Sequence, residues 1–261
     1  MTPTALVTGA GSGLGRGFAL ALARRGYHLL LAGRDESRLR AVAGEIEPVS
    51  TASIYRVDLG ERVARAEFID AILAQGQAPR LLVNNAAVMP AGDFMQRSPA
   101  ELQAAFAVNL LAPAELTLRL CAAPSPPQGV IFVLSTAARF PQPYNSLYCA
   151  SKSGLRALAE TLQVEFTGKT RICLAYPPLT ATPMTENLNA GRWPVSKADP
   201  LVVAERIVAA YESGQDEVAW FNWEMLPSLL YRYAPRLLRW ILKGQRGALQ
   251  AVFNRSKPRQ G

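Results

Sequence analysis

Ala5-Leu6-Val7-Thr8-Gly9-Ala10-Gly11-Ser12-Gly13-Leu14-Gly15 is an apolar triplet that runs into four glycines within seven positions. The triplet reads as a buried strand, and helical apolar spacing begins near Leu14. A plain strand-to-helix turn needs one glycine. Four permit a sharp bend and a close approach of backbone N–H groups to a pyrophosphate. The helix that follows points its positive end at the same place. Counted on Gly9, Gly13 and Gly15, the spacing is G-x-x-x-G-x-G rather than the generic G-x-G-x-x-G.

Outward from this stretch, short apolar runs alternate with longer amphipathic segments. Residues 5–7, 29–31, 54–57, 81–83, 130–134 and 172–175 read as buried strands, and 218–220 is a weaker seventh. Helical patterns fall at 14–25, 36–46, 61–75, 99–121, 147–167 and 199–212. Near-continuous apolar strands alternating with helices predict an α/β fold. It is a Rossmann-type doubly wound parallel sheet of about seven strands with helices on both faces. Such sheets bind ligands beyond the carboxyl ends of their strands. Asn84, Ser135 and Pro177 stand at such ends. The alternation continues to about residue 224, which defines one domain over 1–224 and a C-terminal extension over 225–261.

With 49% hydrophobic and 18% charged residues, the 261-residue chain has the composition of a soluble globular protein. No uninterrupted apolar stretch of about 18 residues is present, and the start lacks a basic segment followed by an apolar run. Three cysteines without metal or disulfide spacing fit a reducing, cytoplasmic setting. His28 is the single histidine and lies beside an apolar strand, so it reads as a structural residue; a multi-histidine zinc site is excluded. Net charge is +8, and the last acidic residue is Glu224. Beyond it come Arg232, Arg236, Arg239, Lys243, Arg246, Arg255, Lys257 and Arg259, which equal the whole excess. The body is neutral and offers no basic face to nucleic acid.

Tyr148 and Lys152 lie four apart in a helical pattern, so phenol and ammonium share one face. Ser135 stands 13 positions earlier at the end of the fifth strand, and Asn109 lies in the helix before that strand. Together with Thr8-Gly9-x-x-x-Gly13-x-Gly15, this set resembles the short-chain dehydrogenase/reductase family over about residues 4–220. The resemblance implies hydride transfer between a nicotinamide cofactor and a carbonyl or alcohol. Tyr148 is then the general acid or base, its pKa lowered by Lys152. Ser135 stabilises the developing oxyanion, and Asn109 holds a water that links Lys152 to solvent. The cofactor site it implies comprises Gly9, Ser12, Gly13, Leu14, Gly15, Arg34, Asp58, Leu59, Asn85, Ala86, Tyr148, Lys152, Pro177 and Thr182, with no metal. Family members usually form dimers or tetramers through the helices bearing Asn109 and Tyr148.

Two positions depart from the family pattern: Asn-Asn-Ala-Gly becomes Asn84-Asn85-Ala86-Ala87, and Pro-Gly becomes Pro177-Pro178. If residue 87 needs a positive φ, alanine there costs about 1 kcal/mol. These departures give some weight to an alternative, an NADP(H)-binding regulatory or membrane-associated scaffold without turnover. The second strand ends Ala32-Gly33-Arg34, with glycine where an NAD enzyme carries an acid. Arg34, assisted by Arg38, suits a 2′-phosphate, and Asp35 reads as a helix N-cap, so NADP(H) is the expected cofactor. The loop from Pro183 to Asp199, with Met184, Leu188 and Trp193, is expected to cover the site, and Phe140 and Tyr144 to wall it. An apolar substrate follows. Arg232, Arg236, Arg239 and Lys243 form a helical stripe, broken near Pro235. The tail therefore either docks on the body or a neighbouring subunit, where it can close the substrate pocket, or lies on an anionic membrane.

Overall fold

The computed structural model describes residues 2–75, 78–186, 188, 197–220 and 226–254. All seven apolar runs are strands of one parallel sheet: β1 Thr4–Thr8, β2 His28–Gly33, β3 Ala52–Arg56, β4 Leu81–Asn84, β5 Gly129–Val133, β6 Arg171–Tyr176 and β7 Glu217–Ala219. Their order is β3-β2-β1-β4-β5-β6-β7. The chain winds outward from β1 to β3, then returns to the other side of β1 for β4. This reversal opens a crevice at the carboxyl ends of β1 and β4, where a doubly wound sheet holds its ligand.

Alternate residues of each strand enter opposite cores, as the two-residue strand period requires. Ala5, Val7, Leu29 and Leu31 face α1 (Gly13–Ala23), α2 (Glu36–Ile46) and α7 (Pro200–Glu212). Leu6, Leu30, Leu82 and Phe132 face α3 (Arg62–Leu73), α5 (Ala112–Cys121) and α6 (Ser146–Glu165). Burial on both faces explains why the strand runs are continuously apolar rather than alternating. His28 begins β2, at the sheet edge away from the crevice. Its ring is hydrogen-bonded to Thr51 Oγ1 at 2.6 Å and Ser53 Oγ at 3.1 Å, a structural role.

The helical pattern over 99–121 is more complex than its periodicity suggests. A capping box of Ser98 and Glu101 starts α4 (Pro99–Phe106), a π-helical turn occupies Ala107–Leu111, and α5 completes the rod. By length and apolar composition this 23-residue rod could cross a bilayer. Here Ala105, Leu116 and Leu120 are buried in the protein, and Glu115 binds the buried Arg65 at 2.6 Å. The C-terminal extension forms α8 (Leu226–Tyr233), α9 (Pro235–Gly244) and α10 (Arg246–Asn254). Pro235 is the first residue of α9, so the expected break falls there: proline suits a first turn but not a helix interior. The boundary expected at 224–225 lies outside the described residues.

Candidate active site

The glycine loop is clamped by its neighbours. Thr8 Oγ1 accepts from the backbone N–H groups of Asn85 (2.9 Å) and Ala86 (3.0 Å), and Asn85 Nδ2 donates to the Thr8 carbonyl at 2.9 Å. These bonds tie the end of β1 to the end of β4. Gly13 has φ +51°, and a Cβ there would stand 2.8 Å from Thr182 Cγ2. A Cβ on Gly15 would stand 2.0 Å from the Gly9 carbonyl oxygen. Glycine is therefore obligatory at both positions. Ser12 caps α1 in an extended conformation without a side-chain cap bond. The first-turn N–H groups of α1 thus form an anion site with the positive end of the helix behind them.

Along the same crevice, Gly33, Arg34, Arg38, Val57, Asp58 and Leu59 line the cavity. Asp35 caps α2 as expected: its carboxylate accepts from Arg38 N–H at 3.1 Å and Ser37 Oγ at 2.6 Å. Asp35 also pairs with Arg38 Nε at 3.1 Å. Ser37 and then the Arg38 N–H hold the carboxyl below its usual pKa. Arg34 is exposed and forms no ion pair among the described residues, so its charge is available to an anion. The side chain of Asp58 turns onto its own chain, accepting from Gly60 N–H at 2.8 Å.

Tyr148, Lys152 and Ser135 meet at the carboxyl end of β5 and the first turns of α6. Tyr148 and Lys152 are 9% and 1% exposed. Burial pushes the Tyr148 phenol up to about 12, against the opposing pull of its hydrogen bond with Ser135. Burial also lowers the Lys152 ammonium to about 8. Lys152 Nζ lies 5.9 Å from the Tyr148 ring centre and donates to the Val133 carbonyl at 2.8 Å. In the protein alone the phenol stands above its ordinary value, because burial disfavours the phenolate. Tyr148 is held in its neutral form.

Asn109 has a bracing role. It is fully buried at the centre of the π-helical turn. Its Oδ1 accepts from Val88 N–H at 2.8 Å, and its Nδ2 donates to the Val88 carbonyl at 2.9 Å and to Ser151 Oγ at 3.0 Å. Both amide hydrogens are used, and the side chain makes no bond to Lys152. It braces the loop after β4 against α6, one residue before the lysine. Ser151 completes the brace by donating to the Tyr148 carbonyl at 3.0 Å. Thr8 stood in the glycine motif without an assigned role, and Ser151 and the Val133 carbonyl were not legible as site groups, because no spacing rule marks a group that works through its tertiary neighbours.

One cavity of about 1580 Å³ joins the glycine loop, Arg34, Ser135, Tyr148, Lys152, Pro177 and Thr182. Every residue expected at the site lines it except Asn109, which lies beneath. Phe140, Met184 and Leu188 line it as expected; Tyr144 does not, and Trp193 lies outside the described residues. The far wall is the C-terminal extension: Leu226, Leu230, Leu238, Ile241, Leu242 and Leu249 face inward. Tyr144 holds this wall. Its φ of +65° is positive, rare for a bulky side chain, and its hydroxyl accepts from Arg246 Nε at 3.1 Å.

The short chain dehydrogenase family model matches residues 3–193, from β1 through α6 and past β6. The chain belongs to the short-chain dehydrogenase family. Human 17-beta-hydroxysteroid dehydrogenase type 3 is 30% identical over 197 residues, which are 71% of this chain and 61% of that protein. The chain thus spans about three-fifths of this relative's length. A metagenomic short-chain oxidoreductase solved in complex with NADP is 30% identical, with a TM-score of 0.69 over 84% of this chain and 96% of that one. The bulky-bulky ketone specific alcohol dehydrogenase of Comamonas testosteroni is 20% identical, with a TM-score of 0.74 over 99% of this chain and 96% of that one, and shares the fold. Within this family, Ala87 replaces the usual glycine at no backbone cost. Among the described residues Tyr144 is the one non-glycine with positive φ, so position 87 needs no glycine. At Pro178 the carbonyl accepts from Thr180 Oγ1 at 2.7 Å within the loop lining the cavity.

Proposed function

We propose that this short-chain dehydrogenase is an NADP(H)-dependent oxidoreductase that interconverts a bulky apolar ketone and its secondary alcohol. The observation that carries the reading is a buried Tyr148 that lines, with Ser135 and Lys152, the same cavity as a glycine loop whose close contacts exclude side chains at Gly13 and Gly15. That loop and the first turn of α1 fit a pyrophosphate, and the exposed guanidinium of Arg34 fits a 2′-phosphate. The NADP in the structure of the metagenomic relative supports the same choice. When bound, the dinucleotide supplies or takes up the hydride. The chain supplies the proton and the electrostatics. Ser135 donates a hydrogen bond to the substrate oxygen, Tyr148 delivers its phenolic proton there, and the Lys152 ammonium stabilises the phenolate that remains until solvent returns the proton.

The apolar wall built by α8–α10 supports a bulky substrate, as does the steroid named for the human relative. The scaffold alternative loses one of its two grounds, since Ala87 is unstrained. The test is NADPH oxidation by the purified protein against ketones graded in apolar size. Turnover that rises with apolar size is expected, and no turnover with any of them, despite NADPH binding, overturns the proposal. Replacing Arg34 by Glu should weaken NADPH binding by at least about tenfold while NADH changes little. Equal losses for both cofactors would remove Arg34 from the 2′-phosphate role.

A homodimer or homotetramer belongs to the same proposal. Leu111 at the end of the π-helical turn, Leu118 on α5 and Val164 on α6 are exposed on the helices expected to pair. The unpaired Cys121, Cys149 and Cys173 support a cytoplasmic setting.

A further inference from the structure

The C-terminal helices have a second face that substrate binding does not use. On α9, Leu238, Ile241 and Leu242 turn inward to the cavity. Leu237 and Trp240 turn outward and are 48% and 72% exposed. Arg236, Arg239 and Lys243 are exposed on the same outward side. Arg236 and Lys243 lie one turn to either side of Trp240, so cations flank the indole. On α8, Leu229 and Tyr233 are also exposed, beside Arg232. No acidic residue follows Glu224, so nothing within these helices neutralises the strip.

We propose that this outward face of α8 and α9 docks on an anionic membrane surface. An interfacial helix needs an apolar strip with an aromatic anchor and flanking cations whose stems reach up to the headgroups, and this face has all three. Docking on the body and docking on lipid, alternatives in the sequence, use opposite faces of the same helices. The charge distribution selects lipid over a second copy of the chain. A two-fold contact through α9 would set one cationic strip against another. The rest of the chain is electrically balanced and has no acidic excess to offer the strip. Duplex nucleic acid would satisfy the cations and leave Leu237 and Trp240 facing water. The roof of the substrate cavity would then rest in the headgroup layer, beside the phase in which an apolar ketone dissolves. The proposal does not rest on the reductase reading, because it is tested by binding and not by turnover.

The test is co-sedimentation of the full chain with vesicles of phosphatidylcholine alone or with phosphatidylglycerol added, at low and high salt. Binding to the anionic vesicles at low salt is expected, weaker by at least about tenfold on neutral vesicles or in high salt. Arg236→Glu with Arg239→Glu should lower anionic binding by about tenfold or more, and Trp240→Ala should lower it further. These variants should keep the parent melting temperature, since the three side chains are exposed. Failure to sediment with any vesicle overturns the proposal, as does equal, salt-independent binding to both kinds. A concentration-dependent dimer lost in Trp240→Ala, or binding to duplex DNA, with no binding to vesicles, assigns the face to another partner and overturns it equally.

Discussion

Tyr148→Phe should lower kcat by between about a hundredfold and ten-thousandfold, the range for removing a positioned general acid. NADPH affinity should stay within about twofold. The substitution removes one oxygen from a buried ring and keeps its volume, so the cavity wall and the glycine loop are undisturbed. The loss arises because burial holds the phenol near pKa 12, fully protonated at neutral pH, and phenylalanine has no proton to give. Single-turnover measurements with NADPH and an apolar ketone, beside direct titration of NADPH binding, separate the two effects. A kcat within about tenfold of the parent would show that another group protonates the substrate oxygen.

Lys152→Met should abolish most turnover and yet stabilise the protein. Lys152 is buried, and its ammonium is lowered from 10.5 to about 8 by desolvation. That difference corresponds to a folding penalty of about 3 kcal/mol while the lysine is charged. The bond to the Val133 carbonyl offsets part of the gain from its removal, which leaves roughly 2 kcal/mol in favour of methionine at pH 7. The pH dependence has a definite sign. Below about pH 8 both folded and unfolded chains hold the proton and the penalty is complete. Between about 8 and 10.5 the unfolded chain binds more protons, so the parent gains stability as pH rises. The advantage of methionine should therefore be full at pH 7 and gone above pH 10.5. Denaturant melts at several pH values read this directly, and a methionine variant less stable than the parent at pH 7 would refute it. For the parent, kcat/KM for ketone reduction should fall as pH rises through about 8, where Lys152 loses its charge.

The conflict between these two readouts has a physical origin. On the proposed mechanism, a buried ammonium is retained at a cost in stability because proton transfer from Tyr148 leaves a phenolate that needs a cation. The surrounding braces, Asn109 to Val88 and Ser151 and Lys152 to Val133, hold both groups where the first turns of α6 meet the end of β5.

Which parts of this molecule were legible beforehand follows from the range of the forces involved. The seven strands, the helical segments of the body apart from the π-helical turn that divides 99–121, the glycine loop and the Tyr148–Lys152 face rest on local periodicity and backbone conformation, which neighbouring residues set, and the amino-acid sequence alone determined them. The same holds for the Asp35 cap and for the break at Pro235, where a missing N–H decides the outcome within one turn. Tertiary structure decided the rest. The environment of Tyr148 was one such feature: its phenol is raised by burial, which is set by residues distant in sequence. The π-helical turn commits Asn109 to Val88 and Ser151, partners 21 and 42 positions away in the chain. The tail showed an amphipathic stripe but not which face would be covered. Only packing against the cavity turned Leu238, Ile241 and Leu242 inward and left Trp240 among arginines outside, because burial is a property of the folded whole and periodicity a property of the single helix.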